Sequence, residues 1–162
     1  MKNSRENVES IRRLMLSTNK IDGAYYFFSK KLGIKANTLA LLYALDDGRP
    51  HSQKQISEDW LIPKTTINTN IRELTEAGYV RLFPEEGTRE KTIVLTDSGK
   101  LYADDILKTV YESEQAAISK ALERFSPEFI DAMAYFSDCL RDEFRKNRKV
   151  KILYNHSERN PI

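Results

Sequence analysis

The sequence predicts a mainly α-helical protein carrying one small β-hairpin. Three observations lead there. Apolar residues recur at helical intervals over most of the 162 residues. Two short helical segments meet at a tight turn before Pro63, the pattern of a helix-turn-helix. Directly after the second of them, two short β-type runs enclose a loop of Pro, Gly and charge.

In chain order, Val8 to about Leu32 reads as a long first helix, with Ile11, Leu14, Met15, Ile21, Ala24, Tyr25 and Phe28 at helical spacing. In "GIKANTLALLYALDDG" the buried side of a second helix is Leu39, Leu42, Tyr43 and Leu45, stopped at Asp46-Asp47-Gly48. Ser52 stands three residues before Gln55, the spacing of a capping box, so a third, short helix starts there with His51 exposed beside it. Only Leu61 and Ile62 separate Trp60 from Pro63, whose fixed φ and missing N–H suit the first position of the next helix. Gly78 ends that helix. "YVRLF" and "KTIVL" are the hairpin strands around "PEEGTRE". Thr96 caps a long helix through "DSGKLYADDILKTVYESEQAAISKAL". "SPEF" opens the last helix, which turns Ile130, Met133, Phe136, Leu140 and Phe144 inward.

The length suits one domain or two small ones able to bury a core without disulfides. No apolar run approaches the roughly 18 to 20 residues of a membrane span, and "MKNSRENVES" lacks the apolar centre of a signal peptide, so a cytoplasmic protein is expected. One cysteine, Cys139, with two distant histidines, His51 and His156, is too few for a soft-metal site, and no metal or cofactor is expected. With no glycine-rich phosphate loop and no nucleophile elbow, an enzyme is not expected either. The net charge of +2 is unevenly spread: residues 1–35 carry eight Lys/Arg against three acids, residues 97–131 four against eight, and residues 132–162 seven against four. Solvated helix faces give the same blocks, so charge alone assigns no partner.

The helix after Pro63 carries the functional signal. Thr65, Thr66, Asn68, Thr69 and Asn70 are all poor helix formers. On a helical wheel Ile67, Ile71 and Leu74 share one side, Thr65, Thr69 and Arg72 lie opposite, and Asn68 sits on the flank. Short polar side chains free of acid suit a DNA major groove: Asn pairs with adenine, Thr bonds a base or phosphate and touches the thymine methyl, and Arg binds guanine or phosphate. An ordinary amphipathic surface helix is the competing reading, though it more often carries Glu, Lys and Gln. In the hairpin loop Arg89 is placed for a narrow minor groove and Lys91 for a phosphate, while Glu85, Glu86 and Glu90 favour a merely solvated turn.

The order of elements, with "QKQISEDWLIPKTTINTNIRELTEAGYVRL" running through the hairpin into "KTIVLTDSGK", resembles the MarR family of bacterial winged-helix transcription regulators over nearly the whole chain. "TTIN", "LTEAGYV" and "LTDSGK" carry the resemblance. It implies one MarR-like domain over 1–162, with a winged helix-turn-helix at about 36–95, dimerisation helices at about 5–33 and 97–150, and a basic tail at 151–162. By position it makes Ser52, Gln53, Lys64, Thr65, Thr66, Asn68, Thr69, Arg72, Arg89 and Lys91 the DNA-contacting set. Arg89 matches the arginine of the family's Asp-x-Arg wing motif, but Gly87 stands where the aspartate belongs, and Leu82 stands where a basic residue is common. The resemblance further implies a homodimer, most often a repressor, over a palindrome with half-sites roughly 10 bp apart. Large apolar side chains in both terminal helices (Tyr25, Tyr26, Phe27, Phe28; Tyr135, Phe136, Leu140, Phe144) agree with a dimer independently, a monomeric core being the alternative. Many relatives bind small aromatic compounds. Tyr25, Tyr26, Phe28 and Tyr43 are the candidate lining here, or else plain core. Cys139 is expected to be a buried, inert thiol. A winged helix that binds a protein rather than DNA is the alternative function.

Overall fold

The computed structural model describes residues 2–60, 62–84 and 91–147. Among the described residues six helices and three strands follow one another as α1 (Lys2–Lys31), α2 (Ala36–Leu45), β1 (His51–Ser52), α3 (Gln53–Asp59), α4 (Lys64–Glu76), β2 (Val80–Pro84), β3 (Lys91–Leu95), α5 (Asp97–Leu122) and α6 (Glu128–Lys146). The fold class is the expected one, mainly helical with a winged helix-turn-helix. Arg89, Gly87 and the basic tail with His156 lie outside the described residues. The chain divides into two compact units, Met1–Glu112 and Ser113–Ile162.

The first unit holds the core. Leu39, Leu41, Leu42 and Leu45 of α2 meet Ile56 of α3, Ile67, Ile71 and Leu74 of α4, Val80 and Ile93 of the sheet, and Ala103, Leu107 and Val110 of α5. α2 is buried on more than the one side that its spacing suggests, since Thr38, Leu41 and Ala44 are buried as well. Such a short helix is buried nearly all round only when neighbours cover every face.

The sheet has the order β1-β3-β2 and is antiparallel throughout, with Val80 opposite Leu95 and His51 opposite Ile93. β1 is an addition to the expected hairpin, too short for any periodic pattern to reveal. It also changes the setting of His51, which is largely buried rather than exposed: its Nε2 lies 2.8 Å from Asp47 Oδ1, and its side chain is 14% accessible. Pro63 likewise stands one place earlier than expected, as the residue before α4, with φ −56° and ψ 137°. Its carbonyl accepts the Thr66 and Ile67 N–H groups at 2.9 and 3.1 Å.

One junction fixes α5 to the exit of α4. Gly78 takes φ +79°, a left-handed value that closes the helix through bonds from Gly78 N–H to the Thr75 carbonyl (3.0 Å) and from Tyr79 N–H to the Leu74 carbonyl (2.8 Å). The Thr96 hydroxyl donates to the Gly78 carbonyl at 2.7 Å and accepts the Gly99 N–H at 3.0 Å, so one side chain caps α5 and ties it to α4. Thr96 N–H donates to the Tyr79 carbonyl at 3.0 Å. The Tyr79 ring stacks on Tyr102 with centroids 4.2 Å apart, and burial pushes the Tyr102 phenol above its ordinary range.

The second unit comprises the end of α5 and α6. None of the α6 residues is buried. Of the five side chains expected to face inward, Met133, Phe136 and Leu140 are half-buried, while Ile130 and Phe144 are exposed, Phe144 at 68%. The apolar stripe exists, but among the described residues it is at most half-covered. Cys139 is exposed too, contrary to the expected buried thiol. It sits one turn from Tyr135, whose phenol its hydrogen bond and charge hold above the ordinary range.

A methyl group at Gly99 would lie 1.9 Å from the Tyr79 carbonyl oxygen, a backbone atom that cannot swing aside. Gly99→Ala should therefore lower stability by about 2 kcal/mol or more in urea unfolding. Gly23→Ala, in the interior of α1 with nothing within 4 Å, should raise it by roughly 0.5 to 1 kcal/mol. Equal effects at the two positions would contradict this account of the junction.

Candidate nucleic-acid interface

The helix-turn-helix is built from α3, a short turn and α4. Ser52 caps α3 by accepting the Gln55 N–H at 3.1 Å. In the turn, the Ser57 hydroxyl donates to the Ile62 carbonyl at 2.8 Å, and Trp60 N–H closes α3 on the Ile56 carbonyl. α4 then buries Ile67, Ile71 and Leu74, leaving Lys64, Thr65, Asn68, Thr69 and Arg72 exposed. Its first turn contains no acidic residue.

The five poor helix formers divide in two. Thr65, Asn68 and Thr69 face outward, whereas Thr66 is half-buried and Asn70 is buried at 4% exposure. Thr69 donates its hydroxyl proton to the Thr65 carbonyl at 3.1 Å, so what it offers a partner is its methyl group and its oxygen lone pairs. Arg72 makes only a long 3.9 Å approach to Glu76, and its guanidinium remains well exposed. Gln53, Asn68, Arg72 and Leu82 line one groove of about 290 Å³ across α3, α4 and β2. Ser52, half-buried, spends its hydroxyl on the cap. Lys91 is exposed at the start of β3, opposite Pro84. Arg89 lies outside the described residues.

Two features went unread in the sequence. Lys35, the residue before α2, places its ammonium 2.6 and 2.7 Å from the two Glu73 oxygens and so ties α2 to α4. Only folding brings together residues 38 apart in sequence. Arg81 and Phe83 are exposed on β2, which the alternation from Val80 does signal.

A second concavity, of about 430 Å³, lies between α1, α2 and the end of α3. Tyr25, Tyr26 and Tyr43 line it. Phe28 does not: it packs against the core, because its place on α1 turns it toward α2. The aromatic residue that joins the tyrosines is Trp60, in edge contact with Tyr43 at 5.6 Å. Tyr43 in turn meets Tyr111 at 5.5 Å, and the Tyr111 hydroxyl donates to Asp46 at 2.6 Å. Among the described residues no group of three or more His, Cys, Asp or Glu could hold a metal, and no helix is long and apolar enough to cross a membrane.

Residues 32–90 match the MarR family. No curated protein matches the chain. Among solved structures, the chain is similar to NMB1585, a MarR family regulator from Neisseria meningitidis, at 22% identity and TM-score 0.68, covering 88% of this chain and 98% of that one. It is similar to Staphylococcus aureus MarR, solved with salicylate and kanamycin, at 16% identity and TM-score 0.61, covering 87% and 93%. It also resembles NadR, solved with 4-hydroxyphenylacetate, at 17% identity and TM-score 0.60, covering 80% and 87%. At these identities the likeness establishes the shared fold.

Asp47 and His51 meet across the turn that leads from α2 into β1. A hydrogen bond from His51, then one from the Arg49 N–H, holds the Asp47 carboxyl below its ordinary 3.8. A depressed carboxylate contributes stability above its unfolded pKa and loses it as pH falls through the lower folded value. His51→Ala should move the Asp47 midpoint, followed by carboxyl NMR, part of the way back toward 3.8, the Arg49 bond remaining. An unmoved midpoint would mean that the imidazole does not hold Asp47.

Proposed function

We infer that this chain, a winged-helix protein of the MarR type, is a sequence-specific DNA-binding transcription regulator: a ligand-responsive homodimer repressing from a palindromic site. The observation that carries this reading is the outer face of α4. Side chains that weaken a helix but read base edges are exposed there, while the apolar face is buried in the core. On this reading Asn68 is the adenine reader, Thr69 presents its methyl to thymine, and Arg72 takes guanine or phosphate. Lys64, Gln53 and Lys91 position the lobe on the backbone, and Arg89 reaches from the wing tip to a minor groove. Ser52 serves through the cap it makes, and Thr66 contributes from the flank.

A homodimer is supported by apolar surface left open among the described residues. Val8, Ile11, Leu16, Ile21 and Phe27 of α1 are exposed, as are Phe129, Ile130, Tyr135 and Phe144 of α6. Stripes of this size on two helices mark interaction surfaces. The helices at about 5–33 and 97–150 then serve dimerisation, and 36–95 is the DNA-binding lobe. Ligand response is supported by the groove beside Tyr25, Tyr26 and Tyr43, which has the size of a small-molecule site.

The decisive experiment is selection of bound fragments from random DNA, which should return a palindrome. On that site Asn68→Ala should cost about 1 to 3 kcal/mol, with little loss on random DNA and an unchanged salt slope. Alanine favours helix at this position, so weaker binding by a better-formed helix can arise only from lost contacts or their geometry. A variant that binds every DNA as well as its parent, with no steep fall of affinity in salt, would favour a protein-binding module instead.

Light scattering at micromolar concentration should give about twice the 18.8 kDa chain mass. Phe136→Glu should dissociate or unfold that dimer, since an unpaired buried carboxylate is costly. A stable monomer that grips a full palindrome would refute the architecture.

A further inference from the structure

We propose that Lys35 belongs to the DNA-binding face as the residue that covers the Glu73 carboxylate, keeping negative charge away from phosphates that approach Thr69. This inference rests on the reading of α4 as the DNA-facing helix. Glu73 stands one helical turn beyond Thr69, and residues four apart on a helix are neighbours on its surface. It therefore borders the outward face that carries Thr65, Thr69 and Arg72. Uncovered there, a carboxylate would repel every phosphate that came near. Its two oxygens instead lie 2.6 and 2.7 Å from the Lys35 ammonium. The other acid of α4, Glu76, meets Arg72 only at 3.9 Å. With Glu73 covered, Lys64 and Arg72 stand on this helix against Glu76 alone.

The Lys35 side chain is directed to this contact and away from any duty to α2. Lys35 is the residue before that helix, where Ser, Thr, Asn or Asp ordinarily caps, yet it makes no side-chain cap bond. The Thr38 and Leu39 N–H groups are met by its backbone carbonyl, both at 3.0 Å, and a carbonyl is what any residue supplies. The ion pair is also exposed, with side chains 63% and 41% accessible, and such pairs add little to stability. What the pair changes is charge. Because the ammonium stays open to solvent while it meets Glu73, it places a cation at the edge of the face where an anion would otherwise stand.

The test titrates a random-sequence DNA duplex at low salt, because charge acts on phosphates whatever the base sequence. Lys35→Ala should weaken binding roughly fivefold or more, and Lys35→Arg should bind within about twofold of the parent. Glu73→Gln should bind at least as tightly as the parent. In the Glu73→Gln background Lys35→Ala should cost less than about twofold, since no carboxylate is left to uncover. The loss in the Lys35→Ala single variant should shrink as salt rises.

A brace that merely held α2 against α4 would behave differently, because breaking it from either side, by Lys35→Ala or by Glu73→Gln, would weaken binding alike. That result, or a Lys35→Ala protein that binds like its parent, would overturn the inference and leave DNA binding in place. A parent that does not bind the duplex at all would refute the DNA-binding reading itself, and this inference with it.

Discussion

Thr96, through one hydroxyl, holds together the two parts of the first unit that have to stay in register. It donates to the Gly78 carbonyl just past α4 and accepts the Gly99 N–H in the first turn of α5. The close approach of the two backbones makes this possible, and Gly99 is what permits the approach. Tyr79 adds its carbonyl to the Thr96 N–H and its ring to Tyr102. β2 leaves from Tyr79, β3 leads into Thr96, and so the hairpin, α4 and α5 radiate from a single point. An error there would tilt α4 and the wing together.

Much of this was legible in sequence because periodic burial writes itself into sequence. Ile67, Ile71 and Leu74 announced the inner face of α4, and the β-type run "KTIVL" announced the strand in which Ile93 proves buried. Capping chemistry was equally readable at Ser52 and Thr96, where a hydroxyl stands three residues before the N–H it accepts. The features that escaped depend on distant segments. Nothing local to Lys35 specifies Glu73, and two residues of β1 carry no period. Phe28, left open between groove lining and core, escaped for a related reason. Periodicity places it on the apolar face of α1, and only packing tells core from groove. Cys139 was misread because burial was assumed for a helix in which none of the described residues is buried.

The same distinction separates the candidate site residues. Their exposure on α4 follows from the wheel, but the state of each side chain does not. Thr69 has spent its proton on its own helix, Ser52 is committed to a cap, and Asn70, similar in chemistry to Asn68, points into the core. Residue type alone would have treated these as interchangeable polar positions.

Helix α4 can carry side chains that oppose helix formation because its stability comes from elsewhere. Five such residues, at up to roughly 0.7 kcal/mol each, cost α4 on the order of 3 kcal/mol relative to alanine. Ile67, Ile71 and Leu74 are almost wholly buried, and each such side chain contributes about 1.5 to 3 kcal/mol, enough to exceed that cost. Further restraint comes from the Pro63 carbonyl at one end, the Gly78 closure at the other and Lys35 holding Glu73 between them. With the inner face and both ends fixed by packing, the outer face is released from any duty to stabilise the helix. Its composition is then free to follow whatever the helix binds, and what stands there is asparagine, threonine and arginine.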